Sequence, residues 1–201
     1  MKWLVKSFSY IFHPLWMPLT AVLIYFAITP RYVTAEFWYA KLFATVIMTI
    51  VIPILSYFMF KNLGLVTEIH LKNVRERRYP LLFQMIFTLL IINIVFEGYE
   101  LPEIHFFFVG VLGSCIAAFI CCLFKFKASL HMIGISGVLL FIIGLSIHFN
   151  NNLLGLISLF VIATGATATS RLEAKAHTPI ELIVGFFIGA IPQFLVYAYW
   201  L

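Results

Sequence analysis

Charge is what this chain has least of. Asp, Glu, Lys and Arg make up 10% of its 201 residues, against about 25% in soluble domains. So few charges cannot solvate the surface of a water-soluble domain, which excludes a soluble enzyme, a disordered tail and a nucleic-acid-binding domain. The 13 Lys and Arg outnumber the 8 Asp and Glu. They are scattered between apolar runs, however, and do not form the basic face of a nucleic-acid binder. Cysteine is scarce too. Cys115, Cys121 and Cys122 all fall inside one apolar run, which reads as buried thiols, with no disulfide framework and no CxxC metal pair. No long polar segment, linker or low-complexity tract interrupts the chain. No small-residue cleavage site follows a short apolar core, so the first run does not read as a cleaved signal peptide.

What remains is grease. Apolar residues are 63% of the chain and the mean hydropathy is +1.06. A helix that crosses a bilayer needs about 20 mostly apolar residues. Charge-free runs of that order cover residues 7–30, 42–60, 79–96, 104–124 and 182–201. The run 128–170 is long enough for two crossings, and Asn150-Asn151-Asn152 in its middle reads as the turn between them. The expected spans are therefore 9–29, 42–60, 80–97, 104–124, 131–149, 152–169 and 180–200. In the first, His13-Pro14 and Met17-Pro18 interrupt any regular helix, so part of it is expected to lie along the interface or to re-enter. The fold class is an all-α polytopic membrane bundle of six to seven transmembrane helices, one domain over residues 1–201. Gly185 and Gly189 form a GxxxG pattern. It marks a close helix contact, either within the bundle or in a homodimer.

The few polar residues are distributed unevenly. Connections 97–103 and 150–152 carry no Lys or Arg, whereas 61–79, 125–130 and 170–179 carry most of them. An even number of crossings separates each basic connection from the next, so all three face the same side. The first holds Lys72, Arg75, Arg77 and Arg78, four cations in seven residues. They read either as a positive-inside flank or as a phosphate site, since guanidinium groups match phosphate oxygens at two points. The second holds Ser129, at a helix start, and His131. Ser129 reads as an N-cap, and a free helix N-terminus also binds anions. The third runs from Ser170-Arg171 to His177 and Glu181. Thr178-Pro179-Ile180-Glu181 has the form of a capping box with proline at the first helical position. Glu181, one turn from His177, could also accept a proton from one ring nitrogen and leave the other nucleophilic.

The third connection reads Ser-Arg, five residues, His, three residues, acid. It resembles the third signature of the type 2 phosphatidic acid phosphatase (PAP2) superfamily. Ser129-Leu130-His131 is similar to that family's second signature, Pro-Ser-Gly-His, and Lys72 with Pro80 to its first, Lys-x6-Arg-Pro. The chain departs from the pattern at Tyr79, where the first signature has arginine, so that Arg75, Arg77 or Arg78 would substitute. It departs again at Ala128, Leu130 and Glu181, and two extra spans separate the first two signatures. The resemblance implies a lipid phosphatase without metal or other cofactor. His177 would be the nucleophile, Glu181 its orienter and His131 the acid and base. Lys72, Arg75, Arg78, Ser129, Ser170 and Arg171 would hold the phosphate. The implied substrates are phosphatidic acid, phosphatidylglycerol phosphate or a polyprenyl diphosphate.

Two other classes stay open on the sequence. A small transporter or channel would use polar residues inside spans, such as Gln84, Asn93, His148 and Gln193. Against it, no expected span carries a buried Asp, Glu, Lys or Arg. A non-catalytic relative would bind a phospholipid without turning it over. Sidedness is also open in what is expected to be a bacterial inner membrane. Eleven of the 13 Lys and Arg lie on the face of the proposed site, which the positive-inside rule places in the cytoplasm; the family resemblance implies an outward-facing site.

Overall fold

A computed structural model describes residues 2–67 and 73–201, with side chains from residue 7 onward. Every regular element among them is helical. The α-helices are α1 (Lys2–Ile11), α2 (Met17–Ile28), α3 (Ala35–Val46), α4 (Ile52–Asn62), α5 (Arg78–Leu90), α6 (Pro102–Leu123), α7 (Leu130–His148), α8 (Leu154–Glu173) and α9 (Pro179–Trp200). A π-turn, Ile47–Val51, joins α3 to α4 without a break. Pro53 follows it, and the widened turn accommodates a residue that cannot donate to the helix ladder. With that joint, and with Val74–Arg77 and Ile91–Val95 extending α5, six helices are long and apolar enough to cross a membrane.

The first expected span is interrupted at His13-Pro14, as its sequence predicts: α1 ends at Ile11, the chain breaks across Pro14, and α2 begins at Met17, so that the second interruption expected, at Met17-Pro18, is absent. Proline removes a donor and disfavours helix in the residue before it, His13. Pro18 does no such damage, because it sits in the first turn of α2. At 12 residues, α2 is about 18 Å long, well short of a hydrocarbon core of about 30 Å. It still runs between the two ends of the bundle. Met17 and Pro14 abut Gly134 near the start of α7, while Tyr25 and Arg31 reach Glu103 at the start of α6.

Most other helix ends lie beyond the expected spans, because charged side chains fold into the helices instead of bounding them. Lys41 lies inside α3 and donates to Glu100 and to the Val95 carbonyl. Arg171 and Glu173 belong to the last turn of α8. Glu103 corrects the expectation that no span buries a charge. It sits in the first turn of α6, fully buried, and receives the Tyr25 hydroxyl at 3.1 Å, Arg31 at 2.6 Å and His148 at 3.0 Å. These bonds tie α2, α6 and α7 together at the end of the bundle remote from the basic connections.

α7 is the central helix, packed against α2, α6, α8 and α9. Its contact with α9 is made close by glycine. A Cβ on Gly185 would stand 2.8 Å from the Ser129 carbonyl oxygen, and one on Gly189 would overlap the Ile133 carbonyl and the Ser136 hydroxyl. Ser136 also donates across the interface to the Phe186 carbonyl at 2.9 Å. Both glycines are buried against α7 within the chain, so the close helix contact this pair marks lies inside the bundle. Lipid tails are as apolar as leucine, so close backbone approach and interhelical hydrogen bonds hold such an interface.

Candidate functional site

The three basic connections meet at one end of the bundle. Arg77, in the short helical turn before α5, donates through Nη1 to the Ala128 carbonyl at 3.0 Å. Lys127 donates through Nζ to the Ala176 carbonyl at 3.1 Å. The Ser129 N–H donates to the Glu181 carbonyl at 3.1 Å. Each bond crosses from one connection to the next.

Two of the turns that set up this meeting are conformationally costly. α6 and α8 both end in a Schellman motif: Phe126 N–H reaches the Cys121 carbonyl, and Ala176 N–H the Arg171 carbonyl. The left-handed position in each is a lysine, Lys125 at φ 59° and Lys175 at φ 51°. That conformation costs an L-residue roughly 1–2 kcal/mol. The turns bring Lys127 and His177 inward on the connection that follows.

His177 is buried and its Nδ1 lies 3.1 Å from Glu181 Oε2. A carboxylate only accepts, so the ring proton sits on Nδ1 and Nε2 keeps its lone pair. The same Glu181 oxygen accepts the Thr178 N–H at 2.9 Å, while Glu181 N–H donates to Thr178 Oγ1 at 3.3 Å. The capping box and the histidine orienter are therefore one carboxylate with both jobs. Burial and the nearby Arg77 charge push the His177 ring down to about 4, against the pull of Glu181. It is thus neutral at pH 7. An unfolded chain would take up this proton near pH 6.5, so between 6.5 and 4 the unfolded state binds more protons and stability falls with falling pH. Replacing His177 by Gln is expected to flatten that part of a melting-temperature-against-pH curve in detergent. Parallel curves for the two proteins would refute the buried neutral imidazole.

The expected phosphate ligands are redistributed. Arg77 is 5% exposed and lies in range of the Glu181, Arg171 and His177 charges, whereas Arg75, named among the ligands on sequence grounds, is exposed to the outside. Burial marks Arg77 as the guanidinium of the first connection that faces His177. No local pattern separates it from its neighbours. Lys72 lies outside the described residues. Arg78 reaches the Cys122 carbonyl at 3.4 Å, at the end of α6. Ser129 stands at the N-cap position of α7, but its hydroxyl makes no cap bond; fully buried, it has no hydrogen-bond partner among the described residues. The Nε atoms of Arg78 and Arg171 share that condition. Ser170 is buried and its hydroxyl is 2.6 Å from that of Ser9, so it ties α1 to α8 instead of facing an open ligand position.

His131 shares this end of the molecule, in range of the Arg171 and His177 charges. It also meets residues that sequence reasoning missed. Its Nε2 is 3.1 Å from the Ser9 carbonyl, and its ring takes the His13 ring edge-on. Among the described residues no three His, Cys, Asp or Glu side chains gather as metal ligands would.

Two hollows border the cluster. An open cleft of about 400 Å³ is lined by Lys127, Lys175, His177, Thr178 and Glu181, with Leu172 and Ala176. An apolar groove of about 320 Å³ is lined by Met132, Ala168, Leu182, Ile183, Phe186 and Phe187. The groove opens where α8 leans on α7 but scarcely touches α9. Glu181 lines one hollow and Leu182 the other.

Compared with protein-family models, curated proteins and solved structures, the chain matches none. Its functional reading therefore rests on the geometry of these side chains.

Three of the polar residues that a transport pathway would use are hydrogen-bonded within the bundle. Gln193 donates to the Phe107 carbonyl at 2.9 Å, joining α9 to α6, and Asn93 bonds the Leu89 carbonyl of its own helix at 2.7 Å. His148 belongs to the Glu103 cluster.

Proposed function

We propose that this chain is a membrane phosphatase acting on a lipid phosphate through a phosphohistidine. The observation that carries the reading is the His177–Glu181 pair, with a bare Nε2 and with Arg77 and Lys127 close enough to act on the ring. A neutral imidazole oriented by a carboxylate is a nucleophile, and cations beside it stabilise the charge of a transferring phosphoryl group. His177 Nε2 attacks phosphorus, the N–P bond forms, and the bond to the lipid oxygen breaks. That oxygen leaves with a proton from His131. His131 then takes a proton from water, whose oxygen attacks phosphorus; the N–P bond breaks, its electron pair returns to Nε2, and inorganic phosphate departs.

The lipid class is supported by the two hollows. A phosphate in the cleft beside Lys127 and His177 and a hydrocarbon chain in the apolar groove would pass the protein at Glu181 and Leu182, consecutive residues. A water-soluble phosphate has no use for the groove.

The deciding experiment is a panel of lipid phosphates, assayed for phosphate release by purified protein in detergent with a chelator present. Release is expected, with inhibition by vanadate. Activity that disappears in chelator and returns with metal would overturn the histidine mechanism. Within the active protein, Arg77→Ala is expected to cost roughly 10²-fold in turnover, the scale of a lost transition-state donor, while Arg75→Ala changes it by less than about threefold. Equal small effects would return both to plain flanking charges.

A second reading has one observation behind it. Glu103 is a buried carboxylate at the other end of the bundle, and such groups mark ion pathways in transporters. A transporter would move solute across liposomes without releasing phosphate.

A further inference from the structure

The last four carbonyls of an α-helix have no partner within it. In α1 one of these belongs to Ser9, and it meets the Nε2 of His131, 122 residues away, at 3.1 Å. A carbonyl oxygen only accepts, so the ring must carry a proton on Nε2. In the neutral form this leaves the lone pair on Nδ1. We propose that the segment Ser9–His13 is part of the catalytic apparatus, its Ser9 carbonyl and His13 ring positioning His131 as Glu181 positions His177. The proposal rests on the phosphatase reading for what His131 then does.

Several contacts hold the segment in place. The Ser9 hydroxyl is 2.6 Å from that of Ser170, in the same turn of α8 as Arg171. Phe12 packs edge-on against Phe160, with centroids 6.0 Å apart. The Leu15 N–H donates to His13 Nδ1 at 3.3 Å, which fixes the neutral His13 ring with its proton on Nε2. The His13 ring stands edge-on to the His131 ring, centroids 5.1 Å apart and planes at 84°. Behind them, Pro14 and Met17 lie against Gly134, one turn along α7 from His131.

Proton transfer to and from the substrate requires that the His131 ring present a fixed nitrogen. The ring needs the Ser9 carbonyl to keep one nitrogen protonated and its face fixed. The break at Pro14 serves this arrangement, because it lets α1 dock on α8 and turn its end toward α7.

The test uses the full-length protein in detergent, labelled with ¹⁵N-histidine, the His131 signals being assigned by their loss in His131→Gln. In the wild type His131 is expected to show a protonated Nε2 and a bare Nδ1. His13→Ala, and Ser9→Ala through loss of the hydroxyl that anchors the segment to Ser170 while its carbonyl remains, are expected to mix the tautomers and lower kcat about tenfold with KM within about twofold, as misplacement of a proton-transfer group does. His13→Phe keeps the edge contact and is expected to recover most of kcat. A His131 ring protonated on Nδ1 in the wild type would overturn the proposal. So would variants that leave tautomer and kcat unchanged, or that lower kcat without touching the tautomer. If His13→Ala fails to fold, Ser9→Ala and His13→Phe decide by the same signals. A protein that releases no phosphate from any lipid, yet shows the expected tautomer and its loss in the variants, would sink the phosphatase reading and leave the positioning contact standing.

Discussion

Replacing His177 by alanine is expected to abolish phosphate release from the lipid substrate, by at least about 10³-fold, in a protein that still folds. The loss follows from removing the proposed nucleophile. Folding survives because the start of α9 does not depend on the imidazole. Glu181 keeps the Thr178 N–H at 2.9 Å and Thr178 keeps the Glu181 N–H at 3.3 Å, so the helix stays capped. Glu181→Gln separates the two jobs of that residue. Glutamine also completes a capping box, but as a neutral amide it cannot stabilise the charge that develops on the ring. Turnover is therefore expected to fall well below wild type while the melting temperature stays close to it. Acid-labile phosphate on the wild-type protein after rapid quenching, absent from His177→Ala, is the direct check. An alanine variant that keeps more than a tenth of wild-type turnover would move the nucleophile elsewhere.

Gly189→Leu is expected to unfold or severely loosen the bundle, whatever the protein does. A side chain there has to enter the backbone of α7 at Ile133 and the Ser136 hydroxyl that bonds the Phe186 carbonyl. Backbone cannot step aside as a flexible side chain can, so the loss should exceed the roughly 1–3 kcal/mol usual for overpacking. The proposed site would suffer with it, because Gly185, one turn earlier, seats α9 against Ser129. Gly165→Leu is the matched control. Gly165 is exposed on α8 and nothing lies within 4 Å of an added Cβ, so its melting temperature in detergent should stay near wild type. Equal melting temperatures for the two leucine variants would mean that the α7–α9 interface is not as close as described.

Much of the architecture could be read before any coordinates. Hydropathy over about 20 residues is a property of a contiguous stretch, and it located the long helices to within a turn or two at most ends. Among the long helices, the two starts that lie farthest from expectation, those of the Ala35–Asn62 and Val74–Val95 spans, share one cause. Charge read as a boundary starts the former at 42, on the expectation that Lys41 faces water. Inside the bundle it satisfies Glu100 and a carbonyl instead. The pairing of His177 with Glu181 was also legible, since residues four apart share a helix face and the cap box is written in four consecutive letters.

The composition of this chain alone determined that it is a helical membrane bundle, and the order of its basic connections determined that they share a side. Which of their side chains turn inward was decided by packing. Arg77 and Arg75 are two residues apart in one cluster, and only the approach of the 125–130 connection buries the first and leaves the second exposed. Ser9 and His13 carry no mark of a role until α1 docks beside His131. Glu103 reads as a loop acid until α2 and α7 close over it. The physical reason is the same in each case. A local pattern sets what a segment can become, while burial and hydrogen-bond partnership depend on neighbours brought from a hundred residues away.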